Sequence, residues 1–208
     1  MIVYTSGMTG KPKGVVHTHR SIAAQVQTLT EAWEYTPADR FLHCLPLHHV
    51  HDLYNALLTP LYAGVVDFIP KFSVREVWQR WIGSYDSDGS KAEDAITVFT
   101  GVPTIYARLL QGYELMGTES QKTAASAARQ LCLMMCGSSA LPSPVMEQWE
   151  NITGHQLLER YGMTEFAMAL SNPLHGNQTV VTQVNLFKLK TRGEVGKLQL
   201  RLFRWKLI

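Results

Sequence analysis

The chain has 208 residues, 46% hydrophobic and 17% charged, with a net charge of +2. A disordered chain needs low hydrophobicity and high net charge, and collagen-like or low-complexity chains need far more than 15 Gly and 9 Pro. A charge so near zero leaves no footprint for nucleic-acid binding, no run approaches the ~20 apolar residues of a transmembrane segment, and so few charges suggest a slice of a larger core.

Taken in order, Ile2 to Thr5 is a short β-rich run that reads as the end of a core strand, followed by a Gly-rich turn from Gly7 to Gly14. Ile22, Val26, Leu29 and Trp33 recur at helical spacing and predict a helix ending near Pro37. Phe41 to Leu45 reads as a strand, Val50 to Leu61 as a helix closed by Gly64, and Val65 to Ile69 as a strand. Ser73 and Glu76 form a capping-box pattern ahead of Val77, Trp78 and Trp81. The polar stretch from Ser84 to Asp94 reads as a surface loop, Ala95 to Thr100 as a strand, and Pro103 suits the first turn of a helix. Leu131 to Cys136 predicts a strand, Pro144 to Ile152 a helix and Leu157 to Arg160 a last short strand. Strands alternating with helices predict an α/β fold, a mainly parallel sheet flanked by helices.

Three cysteines, Cys44, Cys132 and Cys136, are too few for a disulfide framework and read as free thiols in a reducing compartment, the last two in a buried strand. The N-terminus shows no leader pattern. Trp33, Trp78, Trp81 and Trp149 are expected in the core. His43, His48, His49 and His51 match no structural zinc spacing. After Leu174 seven basic residues face only Glu194, without turn chemistry or a helical period. Residues 1–174 are therefore expected to form one unit and 175–208 a divergent basic tail.

The densest motif is Tyr4-Thr5-Ser6-Gly7-Met8-Thr9-Gly10-Lys11-Pro12-Lys13-Gly14. Glycines turn backbone N–H groups inward into an anion-binding concavity, and hydroxyls and lysines add donors and charge. A Walker A loop is excluded, because Thr5 stands at its first glycine and Pro12 follows Lys11. Three further strings follow in order: Pro46-Leu47-His48-His49-Val50-His51, Gly137-Ser138-Ser139-Ala140-Leu141-Pro142 and Arg160-Tyr161-Gly162-Met163-Thr164-Glu165. Together they resemble the motifs of the acyl-adenylate-forming (acyl-CoA synthetase, AMP-binding) superfamily. Over residues 1–174 the wording is similar to its malonate-activating branch.

The resemblance implies part of the large N-terminal domain of such an enzyme, a ligase that joins a carboxylate to the α-phosphate of ATP and passes the acyl group to coenzyme A. Thr5, Ser6, Gly7, Thr9, Gly10, Lys11 and Lys13 would hold the outer phosphates. Gly137, Ser138, Ser139, Ala140, Tyr161 and Gly162 would back the adenylate, Thr164 would donate to the α-phosphate, and Glu165 would bind Mg²⁺. His49 and His51 would line the acyl site, with His43 and His48 packing behind. Arg160 could pair with the second carboxylate of malonate or a related acid, or form an ordinary ion pair with Glu159 or another acid. The resemblance implies small-molecule substrates and the mitochondrial matrix, and it gives no protein partner.

Two departures fall inside motifs. Met8 removes a hydroxyl from the phosphate loop. Asp52 stands where the resembled family has glycine after the second histidine, and an acid there crowds the acyl pocket and repels a dicarboxylate. The family's ribose-binding Asp, phosphate-side Arg, hinge and C-terminal-domain Lys are not readable after Leu174. The chain is therefore expected to be a fragment incomplete for turnover. The alternatives are a non-catalytic form that at most binds nucleotide or a partner, and a ligase for another short acid.

Overall fold

The computed structural model describes residues 1–5, 10–86 and 89–175. Its centre is a six-stranded sheet of β3 (Arg40–His43), β4 (Val65–Phe68), β5 (Val98–Gly101), β6 (Leu133–Gly137), β7 (Leu158–Met163) and β8 (Ala167–Ser171). The spatial order is β4-β3-β5-β6-β7-β8. All neighbours are parallel except β7 and β8, an antiparallel pair with a register shift between Tyr161 and Gly162. The central strands are apolar runs because each is buried on both faces. Leu42, Phe99, Met134 and Cys136 point into one apolar cluster. Their neighbours Phe41, Val98, Leu133 and Met135 point into another.

The first cluster is covered by α3 (Val74–Ile82), α4 (Pro103–Glu114), α5 (Thr118–Arg129) and α6 (Ser143–Thr153). It holds Trp78, Trp81 and Trp149, all essentially without solvent contact. The second is covered by α1 (His19–Ala32), through Leu29, with Trp33 and Tyr35 just beyond it. The four tryptophans are thus core residues, as expected. Thr18 caps α1 by accepting from the Ser21 N–H, and the Ser21 hydroxyl returns to the Thr18 N–H. At α3 the Ser73 hydroxyl accepts from the Glu76 N–H at 3.3 Å. Among the described residues no helix is long and apolar enough to cross a membrane.

Several expectations change. Ile2–Tyr4 is not a core strand. As β1 it pairs antiparallel with β2 (Gly14–Val16) in a separate two-stranded sheet, and of its three residues only Val3 is buried. Three alternating residues bury one side chain, too little for a central parallel strand. Cys132 is exposed, because β6 begins at Leu133 and the Cys132 N–H bonds the Thr97 carbonyl beyond the strand's start. The predicted helix after Val50 forms as a π-helix, His51–Leu58, running into α2 (Thr59–Ala63) and capped by Gly64. The Ser84–Asp94 loop carries one antiparallel bridge, Tyr85 to Lys91. Helix α5 and strands β2 and β8 have no counterpart in the sequence reading.

Candidate active site

Ligands in parallel α/β sheets sit beyond the carboxyl ends of the strands, where the strand order reverses. Here β3 and β5 are neighbours and β4 lies on the other side of β3, so the reversal falls between β3 and β5. A cavity of about 820 Å³ opens at that place. Its walls come from the strand ends: Cys44 and Leu45 after β3, Val102 after β5, Ser138 after β6, and Gly162 to Glu165 at the end of β7. The start of the π-helix adds His51 and Asp52, and the β1–β2 hairpin adds Thr5 and Lys13.

Thr5 and Lys13 bracket the Gly-rich segment between β1 and β2. The Thr5 N–H donates to the Lys13 carbonyl at 2.9 Å, and the Lys13 N–H donates to the Thr5 hydroxyl at 3.1 Å. The two ends of the loop are thus clamped into a closed hairpin. Gly10 and Lys11 are exposed beside it and outside the cavity lining. Ser6, Gly7, Thr9 and the departing Met8 lie outside the described residues.

Arg160, which also lines the cavity, is 4% exposed. Its Nη2 donates to Thr100 Oγ1 and to His51 Nε2. A guanidinium has no acceptor, so Nε2 is the unprotonated nitrogen of His51. The His51 Nδ1–H therefore donates to Ser138 Oγ, at 2.7 Å. Burial first, and the Arg160 charge second, hold His51 well below its ordinary pKa, so the imidazole is neutral. This tautomer has consequences for chemistry. In that tautomer the Ser138 O–H remains free to donate. Ser138 has φ +70°, an uncommon backbone region for a residue with a side chain and one that recurs at functional sites.

Among the described residues, Arg160 Nε and Nη1 have no hydrogen-bond partner. No ion pair among the described residues joins Arg160 to Glu159 or to any other acid. Burial pulls the guanidinium down to about 10, so it remains charged at neutral pH. Gly137 makes room for it. A Cβ there would lie 2.2 Å from Arg160 Nη1 and 2.9 Å from its carbonyl oxygen. Gly162 serves the neighbouring turn, since a Cβ at that position would lie 2.1 Å from the Ala167 carbonyl oxygen.

Thr164 and Glu165 form that turn between β7 and β8, half-buried and facing the cavity. His17, at the end of β2, bonds the Thr164 backbone and the Tyr54 hydroxyl, the latter at 2.8 Å. One side chain thus ties the hairpin, the π-helix and the turn together. Among the described residues no group of three or more His, Cys, Asp or Glu could hold a metal. The single Glu165 carboxylate fits a magnesium ion held mostly by phosphate and water oxygens, as that hard cation prefers.

His49 and His51 both line the cavity. His43 is buried and stacks on Phe68 with ring centroids 5.1 Å apart, a packing residue as expected. His48 is not one. It is exposed and tilts against His49, because the segment after Pro46 turns outward before the π-helix begins. Tyr161 is 48% exposed, and Ser139 and Ala140 are exposed beyond Ser138; none of the three lines the cavity. Thr100, which holds Arg160 and His51, was missing from the candidate residues. Its signal was a hydroxyl near the carboxyl end of an otherwise apolar strand.

Asp52 is 3% exposed and lines the cavity near Arg160. Burial raises its carboxyl from 3.8 to about 7, with Arg160 opposing the shift. A carboxyl raised in the fold stabilises it below the unfolded value, and that contribution is lost as pH rises towards 7. Asp52→Asn should therefore melt several degrees higher than the parent chain at pH 8, with the difference closing by pH 4. Thermal melts across that range check it.

The sequence profile of the AMP-binding enzymes matches residues 1–197. The chain belongs to the AMP-binding enzyme family. Among AMP-binding enzymes it is 70% identical over 183 residues to a probable CoA ligase, CCL8, of Humulus lupulus, covering 88% of this chain and 30% of that one. It is 68% identical to the malonate–CoA ligase of Arabidopsis thaliana, with the same coverage. It is 49% identical to the mitochondrial malonate–CoA ligase ACSF3 of Homo sapiens, over 84% of this chain and 30% of that one. A malonyl-CoA ligase solved as a ternary product complex with methylmalonyl-CoA and AMP superposes with a TM-score of 0.73 at 34% identity, covering 86% of this chain and 36% of that one. The chain thus spans about a third of the length of the AMP-binding enzymes it matches.

Proposed function

We propose that this chain is the nucleotide- and acid-binding centre of an ATP-dependent acid–thiol ligase that activates malonate and transfers it to coenzyme A. The observation that carries the reading is Arg160, a buried, charged guanidinium whose Nε and Nη1 lack a partner among the described residues, in a cavity that Thr5 and Lys13 of the Gly- and Lys-rich segment also line.

In the first step one malonate carboxylate oxygen attacks the α-phosphorus. The bond to the bridging oxygen breaks, and pyrophosphate leaves with that electron pair. No proton moves. The obstacle is bringing two anions together, so the residues act by neutralising and aligning charge. Thr5, Ser6, Gly7, Thr9, Gly10, Lys11 and Lys13 hold the β- and γ-phosphates. Thr164 donates to the α-phosphate, and Ser138 and Gly162 back the adenylate from the cavity wall, with Gly137, Ser139, Ala140 and Tyr161 assigned beside them by the motif resemblance alone. Arg160 grips the far carboxylate, with His49 and His51 beside it. Glu165 would hold magnesium, which supplies positive charge at the phosphate oxygens. In the second step the thiolate of coenzyme A attacks the acyl carbon and AMP leaves.

The mitochondrial animal relatives support a place in the mitochondrial matrix. A second reading is binding without turnover. We expect ATP with Mg²⁺ to bind the chain, and Glu165→Gln or Lys13→Ala to weaken that binding about tenfold, or ~1.4 kcal/mol. Unchanged binding in both variants overturns the nucleotide assignment. Malonate-dependent pyrophosphate release above blank decides for turnover, and ATP binding without it for the second reading.

A further inference from the structure

Asp52 shares the acid end of the cavity with Arg160 and has no task in the reaction as written. It sits in the first turn of the π-helix with its N–H on the His49 carbonyl at 3.1 Å. That leaves its carboxyl group as a second acid beside the guanidinium assigned to the substrate's far carboxylate.

We propose that Asp52 is a specificity-determining residue, admitting a second substrate carboxylate when its own carboxyl is neutral and disfavouring that carboxylate when ionised. The inference rests on the reading of the Arg160 end as the acyl pocket. With Asp52 neutral, the pair carries the single positive charge of Arg160, and the Asp52 O–H can itself donate to a carboxylate. With Asp52 ionised, the pair is electrically balanced. An incoming dicarboxylate then meets no net attraction, while an acid with one carboxylate and a neutral far end loses nothing by the change.

The surrounding charges leave Asp52 as the group that moves. Arg160 on β7 stays protonated. Cys44, beyond β3, is pushed up to about 12 by burial and by Asp52 itself, and so remains a neutral thiol. His51 and His49 beside it, and His43 at the end of β3, are all shifted down by burial, which favours their neutral forms. Lys13 and Glu165 complete the charged lining of the cavity. The value of about 7 for Asp52 places its ionisation in the ordinary working range.

The test titrates the full chain, Asp52→Asn and Asp52→Ala with malonate and with acetate at pH 6 and pH 8, following bound ligand by NMR. Comparing variant with parent removes the titration of malonate itself. The asparagine keeps size and removes charge, and the alanine keeps the test alive if that variant folds poorly. We expect the affinity ratio of Asp52→Asn over the parent for malonate to rise about tenfold from pH 6 to pH 8, and the same ratio for acetate to stay flat. A malonate ratio that does not change with pH in either variant overturns the proposal while leaving the acyl pocket standing. Malonate binding absent from the parent, or undiminished in Arg160→Leu, overturns the acyl-pocket reading itself.

Discussion

Replacing Arg160 by leucine should weaken malonate binding by about 10- to 150-fold while leaving the chain folded. The loss corresponds to the ~1.5–3 kcal/mol typical of hydrogen bonds to charged groups. The fold itself should not suffer. Arg160 is charged and buried, lacks an ion pair among the described residues and leaves Nε and Nη1 unpartnered. Replacing buried ionic groups by apolar side chains of similar volume is often neutral or stabilising. Leucine would also release Thr100 and His51 from their contact with Nη2. A monocarboxylate such as acetate should be far less affected. Calorimetric titration with both acids, together with a thermal melt, gives all three readings. Equal losses for the two acids would remove Arg160 from substrate recognition, and a collapse in melting temperature would make it a structural residue.

Replacing Trp149 by alanine should have the largest effect on stability. Trp149 is fully buried where α6 meets the sheet, with ring centroids 4.9 Å from Tyr106, 6.0 Å from Trp78 and 6.2 Å from Trp81. Its indole N–H points at Met134 Sδ at 3.3 Å. Truncating such a residue removes apolar burial and leaves a cavity, together roughly 3–5 kcal/mol. Whole domains are stable by only about 5–15 kcal/mol. The variant is expected to melt roughly 6–20 °C lower, or to fold incompletely at 25 °C. Trp149→Phe, which keeps a ring in the cluster, should lose less than half as much. Circular-dichroism melts of both variants test this, and an alanine variant that melts within 2 °C of the parent would remove Trp149 from the core that holds the helices.

The sheet was largely legible because β3, β5 and β6 are short apolar runs bounded by polar or small residues, a pattern only a doubly covered strand needs. The helix Thr118–Arg129 was not legible. Its buried stripe is Ala124, Ala125, Ala127 and Ala128, and alanine contrasts too weakly with its neighbours to reveal a period. Strand β2, and with it the separate sheet it makes with β1, was hidden for a related reason, since three residues cannot show an alternation. At the site, local strings pointed to His51, Ser138 and Arg160, but their mutual contacts join positions 51, 100, 138 and 160. No string contains such contacts. Asp52 stood out as an acid in an unusual place, while its burial and its shift to about 7 follow only from the way the π-helix turns it towards β7.

The β1–β2 hairpin that carries Thr5 and Lys13 belongs to a different sheet from the strands around Arg160. It is fastened through a small cluster of Val3, Val50, Tyr54 and Ala167, and through His17. Small apolar clusters open locally at far lower free energy than a whole domain unfolds. The hairpin side of the cavity can therefore loosen and re-form while Arg160, Thr100 and His51 hold their arrangement. Under the proposed function, exchange at the phosphate side would then be independent of the hold on the acid.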